Sequence, residues 1–321
     1  MTETMPNTPT PSLSSSPNAR LYFLLTRTPL HIGCGDSLGH IDKPVMRHVV
    51  TGHPLVPGSE VKGCVKGPAE FAWKFGDAAT ISSQLDSLFG KSGDNGAGMV
   101  CPQDAQLLLL PVACWAGGWA WVTCPAVLHR LRRSCATLNL GTTPTLPAVP
   151  TLNSSQSAAL TEQCQGVLLS KTRSGDWLVL GEAALIGDVV PEASQWAEWL
   201  ASTAWGSEAD DWKAEFRRRL AIVPDEVFDW LAEVATDVRA HNKLGEDGVA
   251  EDKHLWRQEY VPEDAVFWGA ITVQPVGNNP GKLTEAQALA AAQNCEIQLG
   301  GRASVGCGWA SLRPISAGAN A

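Results

Sequence analysis

The chain is 321 residues long, 44% hydrophobic and 18% charged, with 33 acidic residues against 24 basic ones for a net charge of −9. Length and apolar content allow one large or two ordinary domains around a sizeable core and exclude global disorder. The global sign argues against a nonspecific nucleic-acid binder, whose footprint is basic, yet residues 20–136 carry 11 basic and 8 acidic residues while residues 182–264 carry 8 and 20.

Residues 1–19 are rich in Thr, Ser and Pro without an apolar stretch, so they read as a disordered tail and not as a signal peptide. Leu21–His31 is an apolar strand that runs into the glycine loop Gly33–Gly39. Ser59 can cap a helix over 59–75, with Pro68 interrupting it, and Leu85–Phe89 is a short helical turn closed by Gly90. No charged residue occurs from Ala105 to Leu128, long enough to span a bilayer at about 20 residues. Pro111, Gly117-Gly118 and Pro125 break that stretch into pieces, which predicts two buried strands, 107–115 and 119–123, around a Gly-Gly turn and no membrane span. A basic helix, Pro125–Leu138, follows, and then a Thr/Pro/Ser loop over 141–158. Residues 191–235 are helical with Trp196, Trp199, Trp205, Trp212 and Trp230, spacings that suit an inserted helical layer packed on a core. Residues 236–260 read as two strands around the acidic turn Gly245–Gly248, Ala265–Gln274 as a strand, and Thr284–Asn294 as a helix. Residues 296–313 read as a strand pair around a glycine loop. Strand, helix, strands, helix, strand is the order of a ferredoxin-like sheet, so the fold class is α+β. The nine cysteines include no C-x-x-C pair, which disfavours a disulfide framework and a zinc ribbon and fits a reducing cytoplasm.

The densest chemistry lies at 31–67. Glycines there let the backbone approach a polyanion, and Pro57-Gly58-Ser59 starts a helix whose first amides suit an anion. Lys62 and Lys66 share a helix face and could neutralise consecutive phosphates; turn chemistry plus a solvated lysine face explains the same residues. Asp42 is a loop carboxylate able to bind Mg²⁺ or activate a hydroxyl, or equally an Asx turn before Pro44. His31, at a strand end, is a candidate general acid or base or a structural histidine. The loop Gly300-Gly301-Arg302…Gly306-Cys307-Gly308 lacks the dinucleotide fingerprint and suits a grip on a backbone phosphate through Arg302.

Together, His31-x-Gly-x-Gly, Leu38-Gly-x-Ile-Asp42-x-Pro-x-x-Arg47, Thr51-Gly-x-Pro-x-x-Pro-Gly-Ser59-x-x-Lys62-Gly and Gly301…Gly306-x-Gly308 resemble the RAMP superfamily. More narrowly, the chain resembles the repeated backbone subunit of type III-B (Cmr) CRISPR effector complexes. Val238-Arg-Ala-His241…Leu255-Trp-x-x-Glu259-x-x-Pro262 continues the likeness, and the matched blocks span about 20–310 in order. The resemblance implies a single domain over 20–313: an RRM-like palm, a helical insertion near 190–235 and a thumb hairpin near 238–260, with a tail over 314–321. It implies several copies stacked helically along a guide RNA (crRNA), with other effector subunits as partners. Target RNA would be cut at regular intervals by a site that depends on Mg²⁺ or Mn²⁺. By that matching, Asp42 is the catalytic aspartate and metal ligand, and His31 and Glu259 support it. Arg47, Gly58, Ser59, Lys62, Lys66, Gly301, Arg302, Gly306 and Gly308 contact RNA. A non-cleaving, guide-binding scaffold of the same superfamily is the alternative. The acid of 182–264 would face neighbouring subunits or solvent.

Overall fold

The computed structural model describes residues 18–315 except 36, 38, 73–77, 92–95, 139–144, 165, 174, 207, 245–249 and 292. The tail over 1–17, the acidic turn 245–248 and the last residues, 316–321, therefore lie outside the described residues.

Strand β1 (Asn18–Thr26) is followed by an irregular stretch to β2 (Leu55–Val56), α1 (Gly58–Ala72) and α2 (Ala78–Phe89). The expected first strand thus stops five residues early, and the single helical turn at 85–89 is the end of a twelve-residue helix. Helix α1 runs through Pro68, whose missing N–H removes one helical bond; the buried Val61 and Val65 hold the inner face of α1 against the core. Next come β3 (Val100–Pro102), β4 (Ala105–Cys114), β5 (Gly118–Thr123) and α3 (Pro125–Thr137). Gly117 and Gly118, with φ of 74° and 85°, make the β4–β5 turn in the left-handed region that glycine enters without cost. Pro111 sits just beyond Leu109, the last residue of β4 on the side that pairs with Val266, where no ladder donor is required.

The stretch from 157 to 189 holds four strands, β6 (Ser157–Leu160), β7 (Leu169–Thr172), β8 (Gly175–Leu180) and β9 (Ala183–Val189). Then α4 (Pro191–Thr203), α5 (Asp210–Arg217), β10 (Leu220–Ile222) and α6 (Asp225–Val234) follow. The expected all-helical insertion is thus interrupted by β10, whose three residues are all buried and lie between β5 and β6 in the sheet. The hairpin β11 (Asp237–Leu244) and β12 (Ala250–Tyr260) precedes β13 (Val266–Val273), α7 (Glu285–Ala290), β14 (Cys295–Gln298) and β15 (Trp309–Pro314).

Among the described residues thirteen strands form one sheet, ordered β14-β15-β1-β13-β4-β5-β10-β6-β9-β8-β7, with β2 and β3 added on β4 and β13. Strand β4 serves two halves: residues 106–109 pair with β13, and residues 110–114 pair with β5. Its continuous Leu107–Leu110 run is buried on both faces, as expected for a strand covered on both sides. A Cys114–Leu180 pairing brings β8 back to β4 and closes the second half on itself. Trp121 fills that half, with Phe216 at 5.0 Å, Trp205 at 5.4 Å and Trp212 at 5.7 Å between ring centroids. The tryptophans are core packing, as the spacing predicted. All nine cysteines are free, and Cys34 is the one exposed thiol.

Candidate functional site

Three segments meet on one side of the molecule: residues 29–47, strand β12 and the loop between β14 and β15. Leu30 and Val261 exchange backbone hydrogen bonds of 2.8 and 2.9 Å, and the Lys43 N–H donates to the Arg257 carbonyl at 3.0 Å. The Glu259 N–H donates to the Lys43 carbonyl at 3.0 Å, so residues 42–45 lie along β12 as an extra strand. The N–H groups of Gly301 and Gly308 donate to the carbonyls of His31 and Pro29, each at 2.9 Å, and tie the glycine loop to the same place. Helix α1 joins it through the Glu60 carboxylate, which accepts from the Gly300 N–H at 2.8 Å.

Asp42 is exposed, and its Oδ2 accepts the Arg257 N–H at 2.7 Å. That bond fixes the carboxylate against the edge of β12 while leaving it open to solvent. His31 is buried, at 7% exposure, and its Nδ1 donates to the Glu259 carbonyl at 2.7 Å. A carbonyl only accepts, so Nδ1 carries the proton and Nε2 of the neutral ring is an acceptor. Burial pushes the His31 pKa below its usual value; the Glu259 carbonyl opposes this, and the Arg302 and Lys43 charges reinforce it. The surrounding glycines make room for this residue. A Cβ on Gly33 would lie 2.8 Å from His31 Nε2, and one on Gly300, whose φ is +70°, would lie 2.2 Å from the His31 carbonyl oxygen.

Glu259 and Arg47 are consumed within the protein. Glu259 is 1% exposed; its Oε1 accepts from Arg47 at 2.5 Å and Thr236 at 2.8 Å, and its Oε2 accepts from the Val45 N–H at 2.9 Å. Arg47 also donates to the carbonyls of Gly52 at 2.7 Å and Ala232 at 2.9 Å. Arg47, expected to contact RNA, thus clasps protein acceptors, and its partner Glu259 is a buried carboxylate with three donors. Gly58 likewise has a partner within the protein. Its amide donates to Asp104 at 2.8 Å, and a Cβ there would lie 2.2 Å from the Pro102 carbonyl oxygen. The helix start already holds an anion, the protein's own. Ser59 stays exposed, and Lys62 and Lys66 are half-buried on α1, each next in sequence to a buried valine, Val61 and Val65.

Gly301 and Gly306 are exposed, whereas Gly308, with φ +85°, is packed so closely that a Cβ would lie 2.0 Å from the Leu299 carbonyl oxygen. Arg302 adopts φ 66° and ψ 25°, and its Nε donates to Gln258 Oε1 at 3.1 Å. Its guanidinium carbon sits 5.3 Å from the Trp256 ring centroid, and Lys43 Nζ sits 5.4 Å from the same centroid. His241 stacks on Trp256 at 5.6 Å and 19°, and its Nε2 meets the Tyr260 hydroxyl at 3.0 Å. Tyr260 in turn lies 5.5 Å from the His31 ring. Sequence reasoning gave Lys43, His241, Trp256, Gln258 and Tyr260 no role of their own. The signal available was the period of two: 256, 258 and 260 share one face of β12 and pair with 241, 239 and 237 of β11.

Among the described residues no three His, Cys, Asp or Glu side chains converge on a point that could hold a metal ion. Asp42 offers an accessible carboxylate, which suits a Mg²⁺-type ion held mainly by water and substrate phosphates with one or two carboxylates. No helix among the described residues is long and apolar enough to cross a membrane.

The chain is 28% identical over 301 residues to the CRISPR system Cmr endoribonuclease Cmr4 of Pyrococcus furiosus, covering 92% of this chain and 95% of that protein. Its fold matches the crystal structure of oligomeric Cmr4 from Pyrococcus furiosus with a TM-score of 0.64 at 24% identity, over 93% of this chain and 98% of that one. It also matches a chain of the cryo-EM structure of the type III-B Cmr-beta complex bound to cognate target RNA, with a TM-score of 0.66 at 18% identity, over 92% and 97%. The RAMP superfamily pattern matches residues 23–311, and the chain belongs to that superfamily.

Proposed function

We propose that this chain is the backbone subunit of a type III-B CRISPR ribonucleoprotein, binding guide RNA in several copies and cutting the paired target RNA at regular intervals. The observation that carries the reading is the near full-length relation to an endoribonuclease of the Cmr system, together with an exposed Asp42 held beside β12. Chain order β1, α1, β4, β13, α7, β15 with sheet order β15-β1-β13-β4 supports a ferredoxin-like, RRM-type palm. Among the described residues the β11–β12 hairpin forms a two-stranded sheet of its own, apart from the thirteen-stranded one, which suits a thumb that interrupts guide–target pairing. Nine free cysteines suit a reducing cytoplasm.

RNA supplies the nucleophile. The 2′-oxygen attacks the adjacent phosphorus, the bond from phosphorus to the 5′-oxygen breaks, and a 2′,3′-cyclic phosphate and a 5′-hydroxyl result. Asp42 accepts or orients the 2′-hydroxyl proton, and water returns a proton to the departing 5′-oxygen. A bound Mg²⁺ or Mn²⁺, with Asp42 as its protein ligand, would supply charge neutralisation at the phosphate oxygens. His31 acts as a positioning residue, locking the Glu259 carbonyl through its ring and the glycine loop through its own carbonyl. Lys62, Lys66, Ser59, Gly301 and Gly306 remain as the exposed or half-buried guide contacts; the close-packed Gly58 and Gly308 shape the backbone that presents them.

The second reading, a non-cleaving guide-binding scaffold, is favoured by the Asp42–Arg257 bond, because it gives the carboxylate a structural partner of its own on β12. Asp42→Asn separates the two. The amide oxygen keeps an acceptor for the Arg257 N–H but removes the charge. In the assembled complex, target binding retained with cutting lost supports catalysis by Asp42, whereas unchanged cutting leaves the scaffold reading. Titrating EDTA in the same assay tests the metal.

A further inference from the structure

We propose that Trp256 anchors a two-cation clamp, formed by Lys43 and Arg302, that grips an RNA phosphate next to Asp42. The inference rests on the RNA-cleaving reading for its ligand and deepens it, because it assigns the positive charge at the cut to residues other than Arg47.

Three elements contribute one member each: the segment pairing with β12, strand β12 itself, and the glycine loop. Both cations lie within 5.4 Å of one indole centroid, so they are at most about 11 Å apart. The ring face attracts each, while the two positive charges repel each other. A counter-ion would be the ordinary remedy in a chain with 33 acidic residues. Arg27, Arg47, Arg217, Arg219, Arg239 and Arg313 all have such carboxylate partners. Among the described residues neither Lys43 nor Arg302 is given one; Arg302 uses only its Nε, on the neutral Gln258 side chain. An external anion completes this arrangement.

Two further observations point the same way. Arg302 is a non-glycine residue held in the left-handed region within a loop whose other left-handed positions, 300, 306 and 308, are glycines. A side chain in that region is uncommon and carries a backbone cost that glycine would avoid. The indole N–H of Trp256 is buried and, among the described residues, meets no acceptor; a buried donor without a partner is rare in a finished fold. An RNA phosphodiester offers two non-bridging oxygens that share one negative charge, an acceptor for each cation. Lys43 follows Asp42 directly in the chain, so the clamp and the carboxylate are carried by the same segment beside β12. The same two cations face His31 and favour its neutral form.

The test uses the assembled, guide-loaded complex with Lys43→Met, Lys43→Arg, Arg302→Met, Trp256→Leu and Trp256→Phe. Two quantities are measured, the single-turnover cutting rate and the slope of log target affinity against log salt. Lys43→Met and Arg302→Met should each slow cutting by roughly 10- to 100-fold and reduce the salt slope by about 1. Lys43→Arg and Trp256→Phe should recover most of the loss seen in Lys43→Met and Trp256→Leu. Trp256→Leu should lose both effects although both cations remain. Wild-type cutting with an unchanged slope in Lys43→Met and Arg302→Met would overturn the clamp, as would equal behaviour of Trp256→Leu and Trp256→Phe. Failure of any of these variants to load guide RNA would also overturn it, in favour of a structural role. Asp42→Asn keeps the outcomes apart: lost cutting there with normal clamp variants removes the clamp and leaves the cleavage reading. A wild-type complex that cuts nothing removes the cleavage reading, and the salt slope still decides the clamp.

Discussion

Strand β12 separates two arginines with opposite surroundings. Arg47 reaches the Glu259 carboxylate and two backbone carbonyls, so its guanidinium is satisfied by the protein. Arg302 rests on the Trp256 ring with one bond to a neutral amide. A cation that meets protein acceptors contributes to stability and has little left for a ligand, whereas a cation placed on an aromatic face keeps its N–H groups for whatever arrives. The difference predicts that substitutions at the Arg47 pole act on folding and those at the Arg302 pole act on RNA.

The largest effect expected from that contrast is at Glu259. Glu259→Ala leaves the Arg47 guanidinium, the Thr236 hydroxyl and the Val45 N–H without their acceptor, which should cost about 3–5 kcal/mol in urea denaturation of the purified chain. Arg302→Met in the same measurement should shift stability far less. An equal loss at both positions would erase the distinction. The glycine loop offers a matched pair of intermediate size. Gly306 and Gly308 have nearly the same φ, but a Cβ at 306 meets nothing within 4 Å while one at 308 strikes the Leu299 carbonyl. Gly306→Ala should cost about 1–2 kcal/mol from the left-handed backbone alone, and Gly308→Ala clearly more; equal losses would show that the loop yields.

Acid gives a smaller, graded effect. His31 and His53 both have pKa values lowered chiefly by burial, His53 despite its 2.6 Å contact with Asp229. The unfolded chain therefore binds more protons than the folded one below about pH 6.5, so stability is full above that value and falls as pH drops toward the folded pKa values. Melting temperature measured at pH 7.5 and 5.5 should show the drop, and His31→Gln should make it shallower. The smallest effect belongs to Lys62→Ala and Lys66→Ala. These half-buried residues on α1 should change stability by less than about 0.5 kcal/mol, while each lowers the salt dependence of guide binding by about one unit of slope.

Elements with a strong local signature were legible before the structure: the β4–β5 hairpin from its apolar run and Gly117-Gly118, α3 from Pro125, and the tryptophan helices from their spacing. Strands β6 to β9 were not, because four to seven residues with mixed burial carry neither a long apolar run nor a clean alternation. β10 is three residues long, and its place in the sheet comes from the strands on either side. At the site, the position of the cluster was readable and the purpose of its glycines was not. They looked like openings for a polyanion, and Gly33 and Gly300 instead clear space for His31. The internal partners of Arg47 were hidden for a related reason: they include the carbonyls of Gly52 and Ala232, and a carbonyl has no letter of its own in a sequence.

The acid that sets the net charge is largely at the surface and partly neutralised there, with Glu198, Glu208 and Glu215 bound to arginines and Asp225, Glu226, Asp229 and Glu233 exposed along α6. This distribution is consistent with a local cationic site beside β12 in an acidic chain.

The free cysteines give the molecule a built-in reporter. Burial pushes the Cys64, Cys135 and Cys295 thiols up to about 11 and raises those of Cys114, Cys124 and Cys164 as well, so they stay protonated and slow toward alkylating reagents. Cys34 is the one exposed thiol, between Gly33 and Gly35 and three residues after His31. A maleimide dye added to the wild-type chain will therefore attach first beside the site, and its fluorescence can follow RNA arriving there without any engineered residue.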